Sequence, residues 1–82
     1  MTNMTAQELR DCVASNLKAR RAERNLTQRE LAKLVDVTQA QIAQIESGSS
    51  APSIDLLARL GKALGTEPHA FLSPGIFSEI DA

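Results

Sequence analysis

Apolar residues recur along this chain every three or four positions, and nowhere do they alternate with the two-residue period of a strand. Leu9, Val13 and Leu17, each four apart with Ala14 beside them, form one buried stripe. It belongs to a first helix that starts after Thr5 and runs to about Arg24. Thr5-Ala6-Gln7-Glu8 opens it as a capping box, in which the Thr hydroxyl accepts from a backbone amide and Glu8 reaches back. Arg20 and Arg24 lie close to the stripe, with stems on apolar surface and guanidinium groups in water. Asn25 stops the helix, since Asn tolerates left-handed backbone better than most residues. A second capping box, Thr27-Gln28-Arg29-Glu30, opens a short helix to about Val35, with Leu31, Ala32 and Val35 inward. Asp36-Val37 interrupts the pattern. Thr38 and Gln41 then form a third box, and the helix they open ends at Glu46-Ser47 with Gly48 as its left-handed cap.

Ser53 caps a fourth helix, with Asp55 at its positive end. It runs to about Leu64, turns Ile54, Leu57, Leu60, Gly61 and Leu64 inward, and stops at Gly65. Glu67 to Leu72, with Pro68 in the first turn, predicts a fifth helix. The expectation is an all-α domain over residues 5–72, preceded by a disordered stretch 1–4 and followed by an apolar tail, 73–82. Helices two and three are short and joined by a tight turn, so they cross steeply, as in a helix-turn-helix.

The third helix divides sharply. At about 100° per residue, Thr38, Ile42, Ile45 and Glu46 share one side; Ala40, Ala43 and Gln44 point away, with Gln39 and Gln41 on the flanks. The outer side carries small residues and amides and no charge. Such a surface can lie flush on a flat polar partner, and glutamine pairs bidentately with adenine in the DNA major groove. A short solvated helix rich in glutamine has the same pattern.

Composition narrows the classes. Eighty-two residues suffice for one modest core, and with two Phe and no Trp or Tyr that core is aliphatic. The sequence has no apolar run long enough to span a membrane and no apolar leader, which points to a cytoplasmic protein. Cys12 stands alone and reads as a small packed residue; His69 reads as an exposed filler. No metal site, cofactor or small-molecule substrate is expected. An enzyme is not expected either, for want of a Gly-rich phosphate loop, a Cys/His pairing or clustered carboxylates. The net charge of −1 argues against a general nucleic-acid binder, but the charge is unevenly spread. Lys18, Arg20, Arg21, Arg24, Arg29 and Lys33 face only Glu23 and Glu30, a compact basic cluster suited to phosphates.

From Leu17 to Leu72, about two thirds of the sequence, the chain resembles the Cro/phage-repressor-type helix-turn-helix domain, also called the xenobiotic-response-element type. The resemblance is carried by Arg21, by Leu26-Thr27-Gln28-Arg29-Glu30-Leu31-Ala32, and by Thr38, Ile42 and Ile45-Glu46-Ser47-Gly48. Pro52-Ser53 and Leu57, Leu60 and Leu64-Gly65 complete it. It implies a five-helix, lambda-repressor-like fold with the helix-turn-helix at helices two and three. It also implies that Gln39, Ala40 and Gln44 read base edges, with Thr38 and Gln41 near the backbone or the adjoining base. Gln28, with Thr27 and Arg29 beside it, sits where the family contacts a phosphate; Ser47 and Ser49 lie where the loop nears the opposite strand. Arg21 and Glu46 match an internal ion pair and are structural.

Some positions depart from the family pattern. Asp36 and Asn25 stand where Gly is usual, and Ser49, Ser50 and Ala51 replace the Lys or Arg common after Gly48. Phosphate affinity then falls to Arg20, Arg24, Arg29, Lys33 and hydroxyls, which means weak binding per monomer and a shallow salt dependence. Dimerisation would compensate. Ile76, Phe77 and Ile80 in the tail are candidate dimer contacts, or a cover for the domain's own core. The expectation is a homodimeric, sequence-specific regulator of transcription on double-stranded DNA, a repressor. The alternative is a protein-interaction module, an antitoxin or adaptor, using the same fold.

Overall fold

The computed structural model describes residues 3–74. Four α-helices follow one another: α1 (Ala6–Glu23), α2 (Gln28–Leu34), α3 (Gln39–Glu46) and α4 (Ile54–Leu64). A 3-10 helix, Pro68–Leu72, closes the described chain. All three capping boxes close in both directions. The Thr27 hydroxyl accepts from the Glu30 amide at 3.0 Å while Glu30 accepts from the Thr27 amide at 2.8 Å, and the Thr5 and Thr38 boxes repeat the arrangement. Ser53 caps α4 through the Leu56 amide.

The fifth α-helix expected from sequence is a five-residue 3-10 helix instead. Its amides bond three residues back, Ala70 to the Glu67 carbonyl at 2.9 Å and Ser73 to Ala70 at 3.2 Å. The segment is too short for more. Ser73 precedes Pro74 and is held extended, at φ −91° and ψ 125°, as a residue before proline must be. Asn25 and Asp36, the two substitutes for glycine, both take φ 58°, in the left-handed region. Asp36→Gly is expected to be neutral or to stabilise by up to about 1 kcal/mol, because relief of left-handed strain competes with a more flexible unfolded chain. The midpoint of urea unfolding checks this; a clear fall would contradict it.

The core gathers Val13 and Leu17 from α1, Leu31 from α2, Ile42 and Ile45 from α3, and Leu57, Leu60 and Leu64 from α4 around Phe71. Two expected core residues lie outside it. Leu9, in the second turn of α1, is 37% exposed, and Ile54 is 81% exposed. The inward face of α4 centres on Leu57, Leu60 and Leu64, leaving Ile54 and Leu56 on its opposite edges. The core takes Leu56.

Asn16 is a polar core residue, three after Val13 on the buried side of α1. It is 1% exposed, and its Nδ2 donates to the carbonyls of Phe71 at 2.9 Å and Ser73 at 2.7 Å. It thereby satisfies acceptors at the end of the 3-10 helix that would otherwise be buried unpaired. Arg59 of α4 similarly donates to the Val35 carbonyl, at 2.7 Å, where α2 ends and the turn to α3 begins.

Candidate nucleic-acid interface

The site is built around α3. Its inward face is fixed by Ile42 and Ile45 in the core and by Glu46, whose side chain is 2% exposed. A carboxylate so buried needs a full set of donors. Arg21 of α1 supplies two, Nε to Oε2 at 2.6 Å and Nη2 to Oε1 at 2.9 Å, and Gln28 adds its amide at 3.0 Å. A further Arg21 nitrogen donates to the Leu26 carbonyl at 2.6 Å. This one network ties the end of α1, the start of α2 and the end of α3 into a unit. The Glu46 hydrogen bond outweighs the cost of burial and raises the Arg21 pKa above its ordinary value, so the guanidinium stays charged.

The outward face keeps the division read from sequence. Gln39, Ala40, Gln41 and Gln44 are exposed, and so is Thr38 at the N-cap. Gln41 and Thr38 are committed to each other through the capping box, at 3.0 and 3.1 Å. Gln39 and Gln44 differ, since no hydrogen bond among the described residues holds their side-chain amides. They are the amides available to a partner.

The expected phosphate-contacting residues separate into two groups. Thr27, Gln28 and Arg29 sit at the start of α2, and Lys33 in its last turn, with Arg29 and Lys33 exposed. Gln28 is turned toward Glu46, which leaves its oxygen and one N–H free. Beyond α3, the Ser47 and Ser49 hydroxyls lie 2.8 Å apart and both donate to the Gln44 carbonyl, folding the loop onto the helix end. Arg20 and Arg24 belong elsewhere. Arg20 donates to the Thr66 hydroxyl at 2.8 Å, to the Gly65 carbonyl at 3.3 Å and to Glu23. The Arg24 guanidinium lies against Gly65. Both cations therefore sit at the C-terminal end of α4, where they offset the negative end of its dipole.

Gly48 takes φ 82°, as a left-handed cap does, and Gln7 of α1 donates to its carbonyl at 2.9 Å. A Cβ at Gly48 would meet the Asp11 carboxylate at 2.7 Å. The first turns of α1 thus clamp the loop after α3, a role for Gln7 that nothing in its local sequence signals. Asn16 did leave a signal, a polar residue three after Val13, where the apolar stripe should continue. No group of three His, Cys, Asp or Glu residues among the described residues is placed to hold a metal ion. No helix there is long and apolar enough to cross a membrane. Ile76, Phe77 and Ile80 lie outside the described residues.

A helix-turn-helix family model, HTH_3, matches residues 17–71, which is most of the chain. The chain belongs to the Cro/C1-type helix-turn-helix family. This agrees with the resemblance read from Arg21, the Thr27 to Ala32 segment and Ile45 to Gly48. The family is one of transcription regulators. An uncharacterised HTH-type transcriptional regulator of Methanothermobacter thermautotrophicus is 43% identical over 51 residues, 62% of this chain and 74% of its own length. An HTH_3 family transcriptional regulator from Vibrio cholerae superposes with a TM-score of 0.76 at 33% identity over 82% of this chain. This chain spans only 38% of that structure. The clp gene regulator ClgR of Corynebacterium glutamicum gives 0.74 at 33% identity, covering 78% of this chain and 68% of its own.

Proposed function

We propose that this chain is a sequence-specific double-stranded DNA-binding transcription regulator, a repressor that acts as a homodimer on paired half-sites. The observation that carries the reading is the outer face of α3: uncharged, exposed, with the Gln39 and Gln44 amides uncommitted and the helix anchored from behind by Arg21 and Glu46. In the proposed complex α3 enters the major groove, and Gln39, Ala40 and Gln44 meet base edges. Thr38 and Gln41 lie beside the backbone or the adjoining base. Thr27, Gln28, Arg29 and Lys33 approach phosphates on one strand, and Ser47 and Ser49 approach them on the other. Two such helices reach successive major grooves when the half-sites are about 34 Å apart, one turn of B-DNA.

With Arg20 bonded to Thr66 and the Gly65 carbonyl and Arg24 beside Gly65, the cations on α2 that face phosphates are Arg29 and Lys33. Binding should therefore weaken only gradually with salt, at about one unit of log–log slope per phosphate neutralised. Arg29→Ala is expected to weaken every duplex alike and to lower that slope by about one. Anisotropy titrations of one preferred and one scrambled duplex at several salt concentrations test this; a loss confined to the preferred duplex would contradict the phosphate role.

The same uncharged face and the net charge of −1 also suit a protein partner, an antitoxin-like or adaptor role. Co-purification with a partner, together with no shift of any duplex at low salt, would favour that second reading.

A further inference from the structure

Gln7 sits in the first turn of α1, outside the stretch 17–71 that carries the family pattern. The residue is exposed, yet every polar atom of its side chain is committed. One amide N–H goes to the Gly48 carbonyl and the other to Asp11 Oδ1, both at 2.9 Å, while the oxygen accepts from Nε and Nη2 of Arg10. An amide held on all sides has no donor left for a nucleic acid. Whatever Gln7 does for the DNA face, it does through Gly48. That glycine is buried, so its carbonyl needs a partner within the protein, and Gln7 provides it across 41 positions of sequence.

Gly48 stands between the two hydroxyls of the loop. Ser47 Oγ and Ser49 Oγ donate to the Gln44 carbonyl at 2.9 and 3.1 Å, and the Ser49 and Ser50 amides point at the same oxygen at 3.1 and 3.3 Å. A carbonyl oxygen has two lone pairs, so four donors oversubscribe it. A hydroxyl in that position gives up little when it turns to a phosphate oxygen, whose charge makes it the stronger acceptor. We propose that Gln7 is a positioning residue for this phosphate contact. By holding Gly48 it keeps the Ser47 and Ser49 hydroxyls together, beside the peptide of Gln44, before DNA arrives. A loop ordered in advance does not have to be ordered on binding, and the saved entropy appears as affinity. The role rests on reading α3 and this loop as the DNA-binding face.

Gln7→Met keeps the length and helix preference of the side chain but removes its donors. In anisotropy titrations of the full chain it should weaken binding about 3- to 10-fold, the worth of one such hydrogen bond. Preferred and scrambled duplexes should lose alike, with the salt slope unchanged because no charge is removed. In a Ser47→Ala, Ser49→Ala background the same change should cost less than about 1.5-fold, since no hydroxyl is left to position. The Ser49 and Ser50 amides should exchange with solvent several-fold faster in Gln7→Met, while the Leu31 and Ile42 amides and the urea midpoint keep the parent's values. Unchanged affinity for a duplex that the parent binds would overturn the role and leave the DNA reading intact. So would an undiminished loss in the double-serine background, or a loss matched by a fall in the urea midpoint. A parent that binds no duplex at low salt would instead bring down the DNA reading, and this role with it.

Discussion

Arg21→Ala is expected to lower the free energy of unfolding by about 3–5 kcal/mol, well above the 0–1 kcal/mol of an exposed ion pair. The reason lies in the partner. The Glu46 side chain is 2% exposed, and losing Arg21 removes two of its three donors, leaving only the Gln28 amide. A charge is then stranded beside Ile42 and Ile45 rather than returned to water. Glu46→Ala should cost less, about 1–3 kcal/mol, because the Arg21 side chain is 17% exposed and can recover water for part of its guanidinium. The asymmetry separates a buried-carboxylate account from a simple count of lost contacts. Urea unfolding of both variants measures it; equal losses, or a loss below 1 kcal/mol for Arg21→Ala, would contradict it. A domain of this size has roughly 5–15 kcal/mol of stability in all, so the first variant should be visibly marginal.

Gln44→Ala and Gln39→Ala are each expected to weaken binding to the preferred duplex by about 1–3 kcal/mol, or roughly 5- to 150-fold, under the proposed function. Neither change touches the core or the capping boxes, so the unfolding free energy should stay within about 0.5 kcal/mol of the parent. Binding to a scrambled duplex should hardly change. The loss should map to one position per half-site, and because a glutamine amide pairs bidentately with adenine, that position should carry an A·T pair. Titrations on duplexes changed one base pair at a time would show it. A uniform loss across all duplexes would remove these residues from base reading.

What the sequence made legible is what the chain decides over three or four residues. The capping boxes at Thr5, Thr27 and Thr38, the Ser53 cap, the left-handed Asn25, Asp36 and Gly48, and the stripe through Val13 and Leu17 all depend on near neighbours. The Arg21–Glu46 pair joins residues 25 apart and was reachable through the family pattern, aided by the place of Glu46 at the edge of the buried face. The features that escaped are long-range bonds to backbone carbonyls, which carry no side-chain identity to search for. Asn16 meets Phe71 across 55 positions, Gln7 meets Gly48 across 41, and Arg59 meets Val35 across 24.

Arg20 and Arg24 teach a related point. They belong to one basic cluster in sequence, yet the turn of α1 carries them to the end of α4 while Arg29 and Lys33 stay on α2. The last helix is 3-10 rather than α: between Pro68 and Pro74 only five residues, Pro68–Leu72, are helical, and apolar spacing over so short a segment does not distinguish the two.

The central claim is that the outer face of α3 selects a DNA sequence. Selection from random duplexes at low salt tests it most directly. The account predicts enrichment of two related half-sites about 34 Å apart, each with a position whose preference disappears in Gln44→Ala. Recovery of no common sequence over repeated rounds, by a protein that folds normally, would contradict it.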